Sequence, residues 1–494
     1  MMQLVNMGDH NGVPSYWLDQ SGRCTGKLVF GVGPRDEPAT LAGITHLVEH
    51  VLLRKVEPVT VRYGASVDVN ITEFHASGKP DAVAGFLNAV ADAICNYSNV
   101  SVTDLAIEKA IIQAENPHSF HQVSAGLLTY RFGPQGPGAG QFGAPGTIGI
   151  SMDETIAWIR RWFTAANAAL TFTGHIPDSL QVRLPPGRPA PRGQVVPIIT
   201  MPALIKSPKT GLALSLIVPR RDAKLLGAAL SYELESRLSH NQGLIYSVET
   251  ITTVLDSESL QLELVLDPIE ENTVQTLTES MGTLHAIASE RFSENAIECA
   301  CEAYVTDLAW NESVPSDYLD QVAIDGIFQQ TTPQRQELLK HAKETTSSHL
   351  ATTLKSGLKS LIVAVDRDVR LRKTDVQNLG LVLDRYELWQ DHDGDAVDAE
   401  KTDKNNCLWP NKSRSTTLRL TDTHLVKYRR GKTKAIKLSD VVLVGDRSCG
   451  GIALMDNRGR SAELDVDQWK HSKKLRQALL QAFPTQIIRP FPEV

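Results

Sequence analysis

Short apolar runs alternate along this chain with longer stretches that carry a helical stripe. Lys27–Val32 (KLVFGV) reads as a buried strand, and from about Leu41 to Leu53 the apolar residues recur at helical spacing. Ser66–Ser77 (SVDVNITEFHAS) alternates like a strand. Asp81–Asn96 predicts a helix with Val83, Phe86, Leu87, Val90 and Ile94 on one face. A third helix opens at Ser101, where Ser101 and Asp104 can form a capping box, and Pro117 stops it.

The same grammar returns later. GLALSLIVPRRD (Gly211–Asp222) resembles GKLVFGVGPRD (Gly26–Asp36), and the two lead into LLGAALSYELESRL and LAGITHLVEHVLL. Aligning Gly43 with Gly227 puts Leu230 and Leu234 where His46 and His50 stand, and Glu233 where Glu49 stands. The pattern reads as a duplicated fold with its chemistry kept in the first copy. Coincidence between two strand–helix units is the competing reading.

At 494 residues the chain has room for about three domains of roughly 150 residues. Two punctuated stretches divide it: LPPGRPAPRGQVVP (Leu184–Pro197), and the charge-rich Gln390–Asn411, which reads as a solvated linker. The blocks are 1–184, 198–389 and 413–494. A shorter Gly/Pro stretch, Gly133–Gly146, reads as a surface loop near a site. The last block carries twice as many basic as acidic side chains. It shows six short strands and then a helix from Asp467 to Phe483, with Trp469, Leu475, Leu479 and Phe483 facing inward. The expected class is α/β (α+β), with two related sheet-plus-helix domains followed by a small PH-like module tethered as a separate unit.

Composition narrows the function. The chain is 42% hydrophobic and 22% charged with a net charge of −7, so it is neither disordered nor globally suited to nucleic acid. No apolar run approaches the roughly 20 residues of a membrane span, and the N-terminus lacks the pattern of a secretory signal. Six cysteines without C-x-x-C spacing imply reduced thiols, and the expected location is cytoplasmic.

The chemistry concentrates in His46-Leu47-Val48-Glu49-His50. Residues four apart share a helix face, so both imidazoles can grip one ion, with Glu49 bordering the same face. A catalytic zinc takes three protein ligands and a water. Glu115 is the natural third candidate, and Glu108 lies two turns earlier on the same helix face, so one carboxylate can ligate while the other orients the site. Three fixed positions match by accident in roughly a few per cent of chains. The helical placement and the Glu108/Glu115 pair lift the motif above that. His118 and His121 read as solvated loop histidines, His75 as a core or surface histidine, and Arg35-Asp36 and Arg221-Asp222 as turn residues.

HLVEH with the downstream AIEKAIIQAE (Ala106–Glu115) resembles the inverzincin peptidases, the insulinase/pitrilysin and mitochondrial-processing-peptidase family. The likeness includes VDVNITEFHASG, WFTAANAALTFTGHI and, in the second block, GLIYSVE (Gly243–Glu249), and covers about Val13 to Val369. It implies zinc held by His46, His50 and Glu115, Glu49 as the base, Glu108 as a supporting carboxylate, and Tyr246 as a substrate-holding residue. It implies a zinc endopeptidase that encloses peptide between two half-clamshell chains, or alternatively a catalytically silent or peptide-binding subunit of such a dimer. Two departures stand out. The interval from His50 to Glu115 is about a dozen residues shorter than usual, and the expected arginine seven residues before the tyrosine is Ser239, with Arg237 two positions away. A partner related to this chain but different from it is therefore expected.

Overall fold

The structure, a computed structural model, describes residues 5–19, 23–56, 61–115, 123–189, 192, 196–310, 314–392, 407–413 and 415–492. His118 and His121 lie outside them. No helix among the described residues is long and apolar enough to cross a membrane.

The first sheet comprises β1 (Asn6–His10), β2 (Val13–Leu18), β3 (Cys24–Phe30), β4 (Arg62–Val67), β5 (Thr72–Gly78) and β6 (Ala168–Thr173), in the order β1-β2-β6-β3-β5-β4. The second comprises β7 (Ala203–Ser207), β8 (Leu212–Pro219), β9 (Ile245–Val254), β10 (Ser259–Pro268), β11 (Ile362–Asp366) and β12 (Val382–Asp384), in the order β12-β7-β11-β8-β10-β9. Five positions correspond one to one. The central parallel pair, β2–β6 in one sheet and β7–β11 in the other, is flanked by the same antiparallel pairs. Shared order and pairing sense carry the duplication. Only the outermost strand differs, antiparallel β1 in one repeat and parallel β12 in the other.

The alternation across Ser66–Ser77 is not one strand but the hairpin β4–β5. Asp68 and Ile71 close the turn by exchanging backbone hydrogen bonds. The apolar–polar rhythm runs unbroken through Val67-Asp68-Val69-Asn70-Ile71, so periodicity alone conceals a turn that Asp68 and Asn70 favour.

Each sheet packs one face on its own helices. Leu28, Phe30, Phe74, Leu170 and Phe172 meet α1 (Ile44–Leu53), α2 (Pro80–Cys95) and α5 (Met152–Trp162). Leu212, Leu214, Leu264 and Val363 meet α6 (Ala223–Leu234), α7 (Thr273–Ser289), α8 (Glu294–Trp310) and α11 (Ser347–Gly357). The opposite faces are covered by exchange. From the first repeat, α4 (Leu127–Phe132) lies on Ala203, Ile205, Ala213, Val265 and Ile362. From the second, α9 (Val314–Ile327) lays Leu319 and Ala323 on Tyr16, Leu18 and Ala169, where Asp320 also reaches Lys27 Nζ at 2.7 Å.

The α4 contact carries a fully buried cation. Arg131 directs all five of its N–H donors at acceptors: Gln261 Oε1 at 2.7 Å, Ser360 O at 2.6 Å, the Ser215 carbonyl and hydroxyl at 3.1 and 2.8 Å, and Met201 Sδ at 3.1 Å. Gln261 in turn donates to Glu263 at 2.7 Å. Burial pushes the Glu263 carboxyl up to about 7.

The Gly133–Gly146 stretch is not a surface loop. Pro137, Gly138 and Ala139 are buried in a tight turn, and Thr129 Oγ1 donates to Gly138 O at 2.7 Å. Glycine permits this because a Cβ on Gly138 would collide with the Gly133 carbonyl.

The last block forms a five-stranded sheet and a four-stranded sheet, and the C-terminal helix (Ser472–Gln481) buries Leu475 and Leu479. Its strands extend into the charged stretch: Gln390–Asp391 pairs with Lys432–Lys437, and Cys407–Pro410 pairs with Thr416–Leu420. A last strand, Ile488–Phe491, follows the helix and pairs in parallel with Val441–Arg447. Pro490 conceals that strand in the sequence, yet proline is tolerated at a sheet edge, where this strand lies. The block docks on the first repeat rather than standing apart. Arg489 pairs with Glu154 at 2.7 Å, and Phe142 packs with Leu443, Ala453 and Phe491.

Arg131→Ala removes the buried cation and leaves its acceptors unpaired, and should cost about 3–5 kcal/mol, read as a lower urea midpoint at pH 7. Glu263 is raised in the folded state, so its stabilising contribution is full below its unfolded pKa of about 4.5 and is lost as pH rises through about 7. Glu263→Gln should flatten that decline. An unchanged stability profile between pH 4.5 and 7 would contradict the assignment.

Candidate metal centre

Helix α1 sorts its residues by face. Ile44, Leu47, Val48, Val51 and Leu52 enter the core, while His46, Glu49 and His50 share the other side. The start of the helix is set by a side chain from outside it. Glu37, buried, accepts the Gly43 and Thr45 amides at 2.7 and 2.8 Å, answering donors that a helix N-terminus leaves open. Gly43 is left-handed (φ 93°) and packs on Thr147 and Ala144, so a Cβ would both strain the backbone and clash.

The third contributor, Glu115, is the residue just past the end of α3 (Val102–Ala114), whose Ser101–Asp104 capping box is formed. Arg54 and Lys55, just past the end of α1, hold Asp104 at 3.0 and 2.7 Å. These bonds, with that from Ser101, keep the Asp104 carboxyl well below the usual carboxylate range. The two helices are thereby clamped with Glu108 and Glu115 facing the histidines.

Three donors converge. The Nε2 atoms of His46 and His50 are 3.1 Å apart, and each lies 3.4 Å from a Glu115 oxygen. Donors around a tetrahedral zinc bound at about 2.0–2.1 Å stand about 3.3 Å from one another, so the spacing fits that ion. The unused nitrogen of His50 is occupied: Nδ1 lies 3.1 Å from Glu108 Oε2, and Arg54 donates to the other Glu108 oxygen at 2.9 Å. That arrangement turns Nε2 toward the shared point. Glu49 lies beside the trio, with Oε2 3.8 Å from His46 Nε2. Burial pushes its carboxyl up to about 7. Burial and the neighbouring His50 hold the His46 imidazole below its ordinary value, against the pull of Glu115.

Tyr246 stands outside this cluster. It lies near the start of edge strand β9 and is 86% exposed, so it is not the half-buried strand residue that a packing role would require. Ser239 and Arg237 occupy a π-helical turn, Glu235–His240, and Arg237 Nε lies 3.8 Å from Glu279. In the second repeat Leu230 and Leu234 are fully buried at the places that match the histidines. His75, partly exposed on β5, is near enough for its charge to act on Glu49.

The supposed turn residues do more than turn the chain. Arg35 donates to Asn70 and to Leu255 O of the second repeat, and Asp36 pairs with Arg192 at 2.7 Å. Asp222 is buried and faces two histidines. Sequence reading missed Glu37 because it caps from seven residues before the helix rather than from the N-cap position. It missed Arg54 because its partners lie on another helix.

No protein-family model matches the chain, and no curated protein matches its sequence. Solved structures do. The fold is similar to a chain in complex III2 from Candida albicans with Inz-5 bound (TM-score 0.63, 13% identity, 76% of this chain and 99% of that one). It is also similar to the peptidase M16 inactive domain from Pseudomonas fluorescens (0.60, 14%, 75% and 99%). Pitrilysin is matched over 75% of this chain but only 46% of its own length (0.53, 13%). The chain has the insulinase/pitrilysin-type half-clamshell fold.

Zinc titration with a competing chelator should show His50→Ala losing the ion at this centre. Glu108→Gln should weaken it by about 10–100-fold through the loss of imidazole orientation. Unaltered affinity in Glu108→Gln would remove the orienting role.

Proposed function

We propose that the chain is a zinc endopeptidase that works as one half-clamshell against a second, related chain. The observation that carries this reading is the convergence of His46, His50 and Glu115 at zinc-like spacing with Glu49 alongside. When bound, zinc supplies a water acidified to about pKa 7 and a polarised carbonyl. The protein's own residues do the rest. His46 and His50 present Nε2, Glu108 holds His50 in register, and Glu49 Oε2 accepts the proton released in the attack on the peptide and returns it to the departing amine.

The case for a partner rests on two side chains of the second repeat. Exposed Tyr246 would serve the partner's cleft, and Ser239 leaves the arginine of that pair to the other chain. The cysteine spacing supports a cytoplasmic setting. Ser239 also favours a second reading, a subunit that binds peptide without cutting it.

One experiment separates the two. Glu49→Gln should keep its zinc and lose cleavage of a quenched peptide library by at least about 100-fold, measured with and without the candidate partner. Near-normal cleavage in Glu49→Gln would refute the mechanism. Zinc bound without cleavage in the paired wild type would establish the silent subunit.

A further inference from the structure

The second repeat, whose leucines replace the histidines of the first, has a histidine–carboxylate cluster elsewhere. Asp222 sits just before α6 with its side chain buried. His341 lies on α10 (Arg335–Glu344) and His349 on α11. His341 Nε2 is 2.8 Å from Asp222 Oδ1, and His349 Nε2 is 3.1 Å from Oδ2, where Thr353 Oγ1 also donates at 3.2 Å. One donor atom from each of the three residues lies within 4.8 Å of the others.

Two of these atoms are anomalous. Among the described residues Asp222 Oδ1 and His341 Nε2, both shut off from solvent, have no hydrogen-bond partner, although they are only 2.8 Å apart. Their directions do not suit a hydrogen bond between them. Buried polar atoms of this kind call for an explanation, and a cation coordinated by both is one that satisfies them together. The local fold prepares the arrangement. α10 ends at Glu344, Thr346 accepts the His349 amide to start α11, and the bend presents both rings to Asp222.

We infer that Asp222, His341 and His349 form a second metal site, for a divalent transition ion of the zinc class. Two imidazoles with one carboxylate suit zinc, cobalt or nickel and do not suit calcium or magnesium, which take oxygen ligands. The His349 side chain is 39% exposed, which gives the ion a path in and leaves room for a water ligand. The site shares no residue with the α1–α3 centre. It joins the α10–α11 hairpin to the start of α6, so its role is to brace the second repeat.

The test uses the full chain stripped of metal. The His46→Ala/His50→Ala variant removes the first centre, so success or failure of the peptidase reading does not enter. That variant should still bind about one equivalent of Zn²⁺ or Co²⁺, with visible cobalt absorption and a raised melting temperature on adding zinc. Adding His349→Gln should abolish all three responses. His341→Ala should do the same, and because His349 is partly exposed, His349→Gln remains informative if His341→Ala does not fold. No binding in the His46→Ala/His50→Ala variant at micromolar ion overturns the proposal. So does binding that survives both His341→Ala and His349→Gln.

Discussion

Two six-stranded sheets, each apolar on both faces, must each cover the face that their own packed helices leave open. The chain resolves this by exchange: α4 crosses to the second sheet and α9 to the first. Arg131 is the strictest part of that arrangement. A guanidinium removed from water is tolerable only if its donors find acceptors in the right directions, and they come from Ser215, Gln261, Ser360 and Met201, all in the second repeat. An apolar residue could fill the space, but it would not fix the orientation of α4 so tightly. The buried cation therefore sets how one repeat sits on the other.

The candidate metal centre depends on the same logic at smaller scale. Its ligands come from two helices, and each helix is fixed by a carboxylate acting away from the centre. Glu37 defines where α1 begins, and Asp104 ties the start of α3 to the end of α1. Glu108 then couples the clamp to the chemistry, holding Arg54 with one oxygen and His50 with the other. A few tenths of an ångström between the imidazoles decide whether one ion can be shared. Those tenths are controlled by residues that never touch it.

Much of this was legible in the sequence because it is local. The helical spacing of His46, Glu49 and His50, the Ser101–Asp104 box and the apolar face from Val83 to Ile94 follow from residues a turn or less apart. The repeated strand–helix grammar was readable for the same reason, and the two strand orders bear it out. What escaped is non-local or disguised. The β4–β5 turn hides inside an unbroken alternation, and the strand at Ile488 hides behind Pro490. The Gly-rich stretch from Gly133 has the composition of a loop and the burial of a core segment. Asp222 reads as a turn residue because its histidines come more than a hundred positions later. Exchange of α4 and α9 has no signature in either helix, since a stripe shows that a face is covered but not by which partner.

The two repeats also show why a shared frame need not keep shared chemistry. In the first, α3 faces the polar side of α1, and His46 and His50 stay partly accessible. In the second, α8 lies along α6, and the corresponding positions are sealed. An imidazole pair there would be desolvated, so leucine is the residue that fits, and Leu230 and Leu234 join the largest apolar cluster of the repeat. Added helices thus close one potential site and, by bringing α10 and α11 over the start of α6, bring Asp222, His341 and His349 together. Where polar ligands can gather is decided less by the sheet, which is constant, than by which helix ends remain uncovered once the apolar faces are satisfied.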